Sequence, residues 1–260
     1  MTPFRIVTVH GIRDMGPWMR RVTFGGPDLV DFPTGFEGGH CKLFFPRGGE
    51  SAAALTDAVE ADINARPRRT YTIRYHNRNA ATIDMDFALH GSAGVAGAWA
   101  ASAQRGDLLG LRGPGRRKLT DMTAPFYVLC ADDTGLPALA ATAEALPRAT
   151  EGVALVSGSA IDDYPPIELP PRMTLHRTGR AADGFVQWLR RSPPPAGTIA
   201  LVLSEAIEMR LTRRWLMDEL GLPKQALLTS GYWKRGLTED ELPYAKQSPK
   251  WFGDPTETAA

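Results

Sequence analysis

Phe126-Tyr127-Val128-Leu129-Cys130-Ala131, an unbroken apolar run, ends on the turn Asp132-Asp133-Thr134-Gly135 and passes straight into the helical pattern of Pro137 to Leu146. A short buried strand, a turn and a helix in that order open a βαβ unit, which belongs to a parallel sheet. The alternation continues downstream. Val153 to Ser157 and Met173 to Arg177 read as strands, Gly184 to Arg191 as a helix, Ile199 to Leu203 as another strand, and about Glu205 to Leu220 as a long helix. In that helix Ile207, Leu211 and Trp215 recur every four residues, and Gly221 stands where a C-terminal stop belongs. Such alternation implies right-handed crossovers between parallel strands.

Upstream the rhythm differs. Phe4 to Val9, Met19 to Phe24, Cys41 to Phe45, Thr70 to His76, Thr82 to Leu89 and Asp107 to Arg112 are short runs separated by Gly and Pro turns, the pattern of an antiparallel barrel. The Ala-rich stretch from Gly48 to Pro67 reads as a helical or mobile insertion. Two domains follow: an antiparallel β-barrel over residues 1–119 and a parallel-sheet α/β domain over 120–245. Residues 246–260 form a polar, Pro-containing tail for which partial order at most is expected.

A chain of 260 residues can bury the cores that two domains need. With 43% hydrophobic and 23% charged residues, and no apolar run near ~18 residues, membrane insertion is not expected. The N-terminal stretch is strand-like without an apolar signal core, so a cytoplasmic protein is expected. Cys41 and Cys130 each lie inside an apolar run and read as reduced core thiols rather than a disulfide or metal ligands. A formal net charge of +1 supplies no global basic field and gives no sign of nucleic-acid binding.

The first chemical motif is Arg69-Thr70-Tyr71-Thr72-Ile73-Arg74 on a predicted barrel strand. Alternation sends Tyr71 and Ile73 to one face and Thr70, Thr72 and Arg74 to the other, with Arg69 at the strand start. An aromatic ring, a hydroxyl and guanidinium groups are what a flavin cradle needs for its ring, its N5 edge and its phosphates. A half-exposed strand whose Thr and Arg face water reads the same way. The second motif runs Asp86-Phe87-Ala88-Leu89-His90-Gly91 and then Gly94-Val95-Ala96-Gly97-Ala98-Trp99-Ala100. Glycines at a helix start let the backbone approach an anion, and a pyrophosphate fits there. A plain Gly-rich turn before a packed helix, with Trp99 in the core, is the other reading.

Taken in order, these motifs and the earlier Pro17-Trp18-Met19-Arg20-Arg21-Val22-Thr23-Phe24-Gly25-Gly26 resemble the siderophore-interacting proteins, a branch of the ferredoxin-reductase-like flavoproteins. The resemblance runs from about Phe4 to Gly236. It implies FAD in the barrel, with Arg69, Tyr71, Thr72, Ile73 and Arg74 against flavin, ribityl chain or phosphates. Around the pyrophosphate it implies His90 and the turn Gly94, Val95, Ala96 and Gly97, and Phe87, Leu89 and Trp99 are further cofactor-binding candidates. Members commonly carry Ser where this chain has Gly97, which removes a hydroxyl and leaves an N–H.

Ala131-Asp132-Asp133-Thr134-Gly135-Leu136-Pro137-Ala138 resembles the family's Gly-Asp-Glu-Thr-Ala-Leu-Pro-Ala signature. It stands at the strand-to-helix crevice where open α/β sheets bind nucleotides. Asp132, Thr134 and Glu205 complete the cofactor-binding set, and Thr72 and Thr134 are the candidate catalytic residues. Ser204-Glu205 falls where relatives carry Gly-Glu, so Ala131 and Ser204 replace two glycines and are expected to narrow a nicotinamide site. A helix N-terminal acid favoured by the dipole is the other reading of Glu205. The choice between NADH and NADPH stays open: Ser157-Gly158-Ser159 and Asp162-Asp163 offer acid without arginine, and Arg210, Arg213 and Arg214 follow the Ile199 to Leu203 run. The resemblance points more often to NADPH.

The implied activity is a reductase passing electrons from NAD(P)H through FAD to a ferric siderophore and releasing Fe(II). Lys42 and Arg47, and Trp233, Lys234 and Arg235 beside Tyr232, are candidate docking groups for the chelate, each of which also reads as ordinary solvated surface. Two other readings remain open. One is a general flavin-dependent reductase or a flavoprotein reduced by ferredoxin; the other is a siderophore-binding flavoprotein without turnover.

Overall fold

A computed structural model describes residues 3–89, 94–238, 240–248 and 251. The chain divides into two compact units. The first takes in the chain up to Thr120 with Pro137–Leu146 and Ser159–Glu168; the second takes in Asp121–Leu136, Pro147–Gly158 and the chain from Leu169 onward.

In the first unit β1 (Phe4–Met15), β2 (Met19–Gly25), β3 (His40–Phe44), β4 (Arg68–Thr72), β5 (Tyr75–Asn77), β6 (Thr82–Ala88) and β7 (Leu108–Gly115) form one antiparallel sheet in the order β4-β3-β7-β1-β2-β6-β5. The run Thr70 to His76, expected as one strand, is two. β4 pairs with β3, whereas β5 pairs with β6 and Arg74 N donates to Asp84 O at 2.8 Å. One nearly continuous segment therefore joins both ends of the strand order and curls the sheet into a barrel. Alternation turns Val7, Val22, Phe24, Leu43, Ile83, Phe87 and Leu111 into its core.

The insertion after β3 is helical. Its helix α1 (Ala52–Ala61) is capped by Ser51, whose Oγ accepts from Ala54 N at 3.2 Å, and it buries Leu55 and Val59 against Phe44. Helix α2 (Val95–Ser102) sets Ala96 and Ala100 into the barrel core, and Trp99 lies 6.0 Å from the Phe24 ring and 5.6 Å from Phe87. Cys41 is buried here, and burial pushes its thiol up to about 12; Cys130, also free and buried, is raised as well.

After β8 (Phe126–Ala131) comes α3 (Leu136–Ala145). The second unit is built on β8, β9 (Glu151–Val156), β10 (Arg172–Arg177), β11 (Thr198–Glu205) and β12 (Leu227–Trp233), all parallel, in the order β10-β9-β8-β11-β12. β12 was not among the expected strands. Helices α4 (Gly184–Arg191) and α5 (Ala206–Asp218) pack Phe185, Leu189, Met209, Trp215 and Leu216 on Val128, Leu155 and Val202. Ile207, expected on the packed face of α5, is instead 39% exposed, and Met209, Thr212 and Leu216 take that face. Gly221 holds φ 70° and lets Leu222 N reach Leu216 O at 2.9 Å, the stop the sequence indicated.

Of the chain beyond Tyr244, residues 245–248 and 251 are described. Helix α6 (Leu242–Gln247) is followed by Trp251, which is buried in the second unit's core and packs over Gly231. No helix among the described residues is long and apolar enough to cross a membrane.

Candidate functional site

In the barrel, Tyr71 is half-buried and stacks on Phe87 with ring centroids 4.2 Å apart. Ile73 and Phe87 are fully enclosed in the core, which corrects their expected contact with a ligand: they back Tyr71 from within. Arg69 is buried, with Nη1 donating to Arg68 O at 2.8 Å, and Thr72 is buried opposite His40. Leu89 packs against the barrel core, and its N donates to Trp18 O at 2.8 Å. His90 lies outside the described residues.

The glycine turn resolves into a helix start. Gly94 is the N-cap of α2, with Val95, Ala96 and Gly97 forming the first helical turn. Among the described residues no side chain caps this terminus, and a Cβ on Gly94 would meet nothing within 4 Å. The first amides of a helix and its positive end suit an anion.

Arg74 departs from its expected place. It is 1% exposed; Nη1 and Nη2 donate to Glu144 at 2.7 and 2.6 Å, and Nε donates to the Tyr164 hydroxyl at 3.1 Å. Its guanidinium lies 4.0 Å from the Tyr75 ring centroid. Tyr164 in turn donates to Asp86, which takes a fork from Arg21 Nε and Nη2 at 2.6 and 2.8 Å. Arg74, just past the end of β4, is thus covered by a charge-paired layer, whereas Thr70 on β4 stays exposed, so alternation assigned the faces but not their solvent exposure. Three of the five guanidinium N–H groups are committed within the protein, which removes Arg74 from the expected phosphate contacts.

In the second unit the strand order reverses between β8 and β11, and at such a switch point open α/β sheets bind ligands outside the carboxyl ends of their strands. Asp132 organises this edge. Its Oδ1 accepts from Thr134 N, Thr134 Oγ1 and Gly135 N at 2.9, 2.6 and 3.0 Å, while Oδ2 accepts from Glu205 N and Trp233 Nε1 at 2.9 and 2.7 Å. Burial raises the Asp132 carboxyl against the pull of these donors. The single O–H of Thr134 is donated to Asp132 as a hydrogen bond, so its oxygen can only accept further hydrogen bonds. Gly135 is required: a Cβ there would lie 2.0 Å from Leu203 O.

Glu205 caps α5, with Oε2 accepting from Ile207 N and Glu208 N at 2.5 and 3.3 Å, and Oε1 accepting from Arg235 N at 3.1 Å. This geometry is that of the helix N-terminal acid. Ala131 and Ser204 are fully buried, so neither projects into the crevice as expected; Ser204 hydrogen-bonds the buried Glu208 carboxyl instead.

Among the docking candidates, Lys42 and Arg47 are exposed on the first unit, and Trp233 and Arg235 are exposed on the second with Lys234 half-buried. Lys42 pairs across the strands with Thr70 and Arg112. His40, on the same face, is held below its usual value by burial and by Lys42 and Lys118.

Three features were missed. Glu208 lacked any motif. Tyr164 and Glu144 lie far in sequence from Arg74. Arg177 ends β10 in register with Val156 of β9, and its Nη2 donates to Gly158 O at 3.4 Å, so the base absent from the turn after β9 comes from the next strand. Of the arginines weighed for that purpose, Arg210, Arg213 and Arg214 sit further along α5, and Arg210 Nη1 donates to Trp251 O at 3.3 Å.

Residues 8–118 match the family described as the siderophore-interacting FAD-binding domain, and residues 124–236 match that described as siderophore-interacting protein. The chain is 29% identical over 231 residues to the ferric vibriobactin reductase ViuB of Vibrio cholerae, covering 85% of each. The crystal structure of the siderophore-interacting protein SipS from Aeromonas hydrophila matches with a TM-score of 0.80 at 30% identity, over 94% of this chain and 96% of that one. A ferredoxin reductase of carbazole 1,9a-dioxygenase shares the fold, with a TM-score of 0.64 at 15% identity over 89% of this chain and 70% of its own. Two matches in the same order as the barrel and the parallel sheet, and a full-length likeness, place the chain in the siderophore-interacting protein family, with an FAD-binding barrel and a ferredoxin-reductase-like architecture.

Proposed function

We propose that the protein is a cytoplasmic, FAD-dependent ferric-siderophore reductase that draws on NAD(P)H and releases iron as Fe(II). The observation that carries this reading is that the chain has both a helix starting at Gly94 in its barrel unit and an ordered switch point on the parallel sheet of the other unit. FAD supplies the conversion of a two-electron hydride into single electrons for the metal. Arg69, Tyr71 and Thr72 with the α2 amides hold it, Arg69 and the amides taking phosphate charge and Tyr71 giving a ring backed by Phe87.

At the switch point Asp132 fixes the turn so that the Thr134 oxygen is presented as an acceptor, suited to an amide N–H of a nicotinamide. Glu205 ties the start of α5 to the chain after β12. Arg177 beside Gly158 favours NADPH, since a guanidinium there can take a 2′-phosphate. The chelate needs no protein ligand for its iron, because the siderophore already fills the coordination sphere. Lys42 and Lys118, on either side of a His40 that burial and these two cations keep neutral, offer local positive charge to an anionic chelate; Arg47, Trp233, Lys234 and Arg235 are the further docking candidates. Reduction weakens the hold of hard oxygen donors on iron and frees it.

The test is the cofactor and its reduction. Purified protein is expected to carry FAD rather than FMN, to bleach on anaerobic mixing with NADPH, and to yield trapped Fe(II) from a ferric chelate. Release of FMN alone would overturn the cradle assignment. Loss of bleaching with both nicotinamides would shift the reading to a ferredoxin-reduced or non-catalytic flavoprotein.

A further inference from the structure

We propose that Glu208 is a positioning residue for the nicotinamide nucleotide: its carboxyl bridges the Ser157 and Ser204 hydroxyls across the carboxyl ends of β9 and β11, and its ionisation weakens nucleotide binding. The inference rests on the reading of this crevice as the nicotinamide site.

Glu208 lies on the first turn of α5 and is 6% exposed, with Ser157 at 4% and Ser204 fully buried. Its side chain hydrogen-bonds both hydroxyls. Ser157 N also donates to Ala131 O at 3.0 Å, so the bridge is tied to β8 as well. These three strand ends lie side by side at the carboxyl edge of the sheet, at its switch point. A buried acid in such a place is costly unless it is neutral and fully bonded.

The titratable groups acting on it all oppose a charge or carry none. Asp132, just after β8, and Glu205, at the end of β11, raise the carboxyl, and the Cys130 thiol on β8 is itself held protonated by burial. On α4, Arg190 is turned to Glu219 at the far end of α5. On β12 the charged residues begin only after Trp233, where Arg235 N meets Glu205. With burial as the largest cause, Glu208 is held up to about 8. As a neutral acid it both donates and accepts, which two serine hydroxyls can satisfy. Once ionised it adds a negative charge beneath an anionic dinucleotide, and linkage makes nucleotide binding take up a proton near that pH.

The experiment is calorimetric titration of oxidised holoprotein with NADP⁺ and NAD⁺ at pH 7 to 9.5, in two buffers of different ionisation enthalpy. Wild type is expected to lose roughly tenfold in affinity for the better ligand across pH 8 and to take up a fraction of a proton there. Glu208→Gln, which keeps both hydrogen bonds and cannot ionise, is expected to retain the pH 7 affinity within about twofold, with no step and no uptake. A flat wild-type profile, or the same step in the Gln variant, would overturn the proposal while leaving the nicotinamide site in place. Absence of binding by either nucleotide, together with absence of flavin bleaching by NADPH or NADH, would overturn both.

Discussion

Trp233 Nε1 lies 2.7 Å from Asp132 Oδ2, so the end of the last strand is fastened to the turn after the first strand of the same sheet. The strand that joins them, β11, contributes Glu205 N to the same oxygen at 2.9 Å. One carboxylate thereby sets the crevice edge, and since both of its oxygens accept from N–H or O–H donors, an amide would strand those on whichever oxygen it replaces. Asp132→Asn places an NH₂ against at least two donors and is expected to cost about 2–4 kcal/mol. Trp233→Phe removes one bond and is expected to cost about 1–2 kcal/mol. Denaturant unfolding checks both. An Asn variant as stable as wild type would show that this edge is not organised by the charge.

Arg74 and Glu144 form the clearest test of a structural against a ligand-binding arginine. Breaking a buried pair leaves an uncompensated charge, so Arg74→Met is expected to cost about 3–5 kcal/mol, and Arg74→Met with Glu144→Leu is expected to recover part of it. FAD content measured on the folded fraction should fall less for these variants than for Arg69→Met. A stable Arg74→Met protein that has lost its FAD would restore Arg74 to the phosphates.

Glu208 also predicts a pH dependence of stability. Its folded-state value of about 8 lies above the usual 4.5, so between those values the folded chain binds the extra proton and stability falls as pH rises. The slope from this one group is at most ~1.4 kcal/mol per pH unit, ending above pH ~8, where both states are ionised. Wild type should therefore lose melting temperature relative to Glu208→Gln from pH 5 to 8. Parallel melting curves across that range would sink this prediction.

Much of this was legible in the sequence because its signals are local. Alternation located the barrel strands, and the Phe126 to Ala131 run with its Asp-Asp-Thr-Gly turn located the switch point. β12 escaped because Leu227 to Trp233 follows a helix without an alternating or bounded run, and its aromatic end read as docking surface. The split of β4 from β5 escaped because barrel closure is a pairing between distant strands, which no periodicity encodes. The same holds for Arg74: its spacing fitted a phosphate ligand, and only the fold brings Glu144 and Tyr164 to it. Ser204 and Ala131 misled for a related reason, since a residue's identity does not tell which side of a strand end it faces.

Thr72 ends β4 buried opposite His40, on the other strand face from the stacked Tyr71 and Phe87. Thr72→Ala is expected to slow flavin reduction by tenfold or so while FAD content stays near wild type, because one orienting hydroxyl counts for more in the reacting geometry than in binding. Stopped-flow bleaching and cofactor content separate the two. Equal loss of both would assign Thr72 to cofactor retention alone.

Lys42 carries the last prediction, which concerns the acceptor. It is exposed on β3, cross-strand from Thr70 and Arg112, and after burial its charge, with that of Lys118, holds His40 below its usual value. An anionic ferric chelate approaching this face gains attraction that salt screens over ~8–10 Å. Lys42→Glu with Lys118→Glu should therefore weaken ferric-chelate reduction severalfold at low salt and flatten its salt dependence, while bleaching of the flavin by nicotinamide stays unchanged. Lys234→Glu with Arg235→Glu is the companion variant, since those cations belong to the other unit. Rates are measured with an Fe(II) trap over a salt series. Unchanged slopes for the Lys42 variant and a flattened slope for the Lys234 variant would move the docking surface to the end of β12. Unchanged slopes for both would mean that the chelate is held by contacts other than these charges.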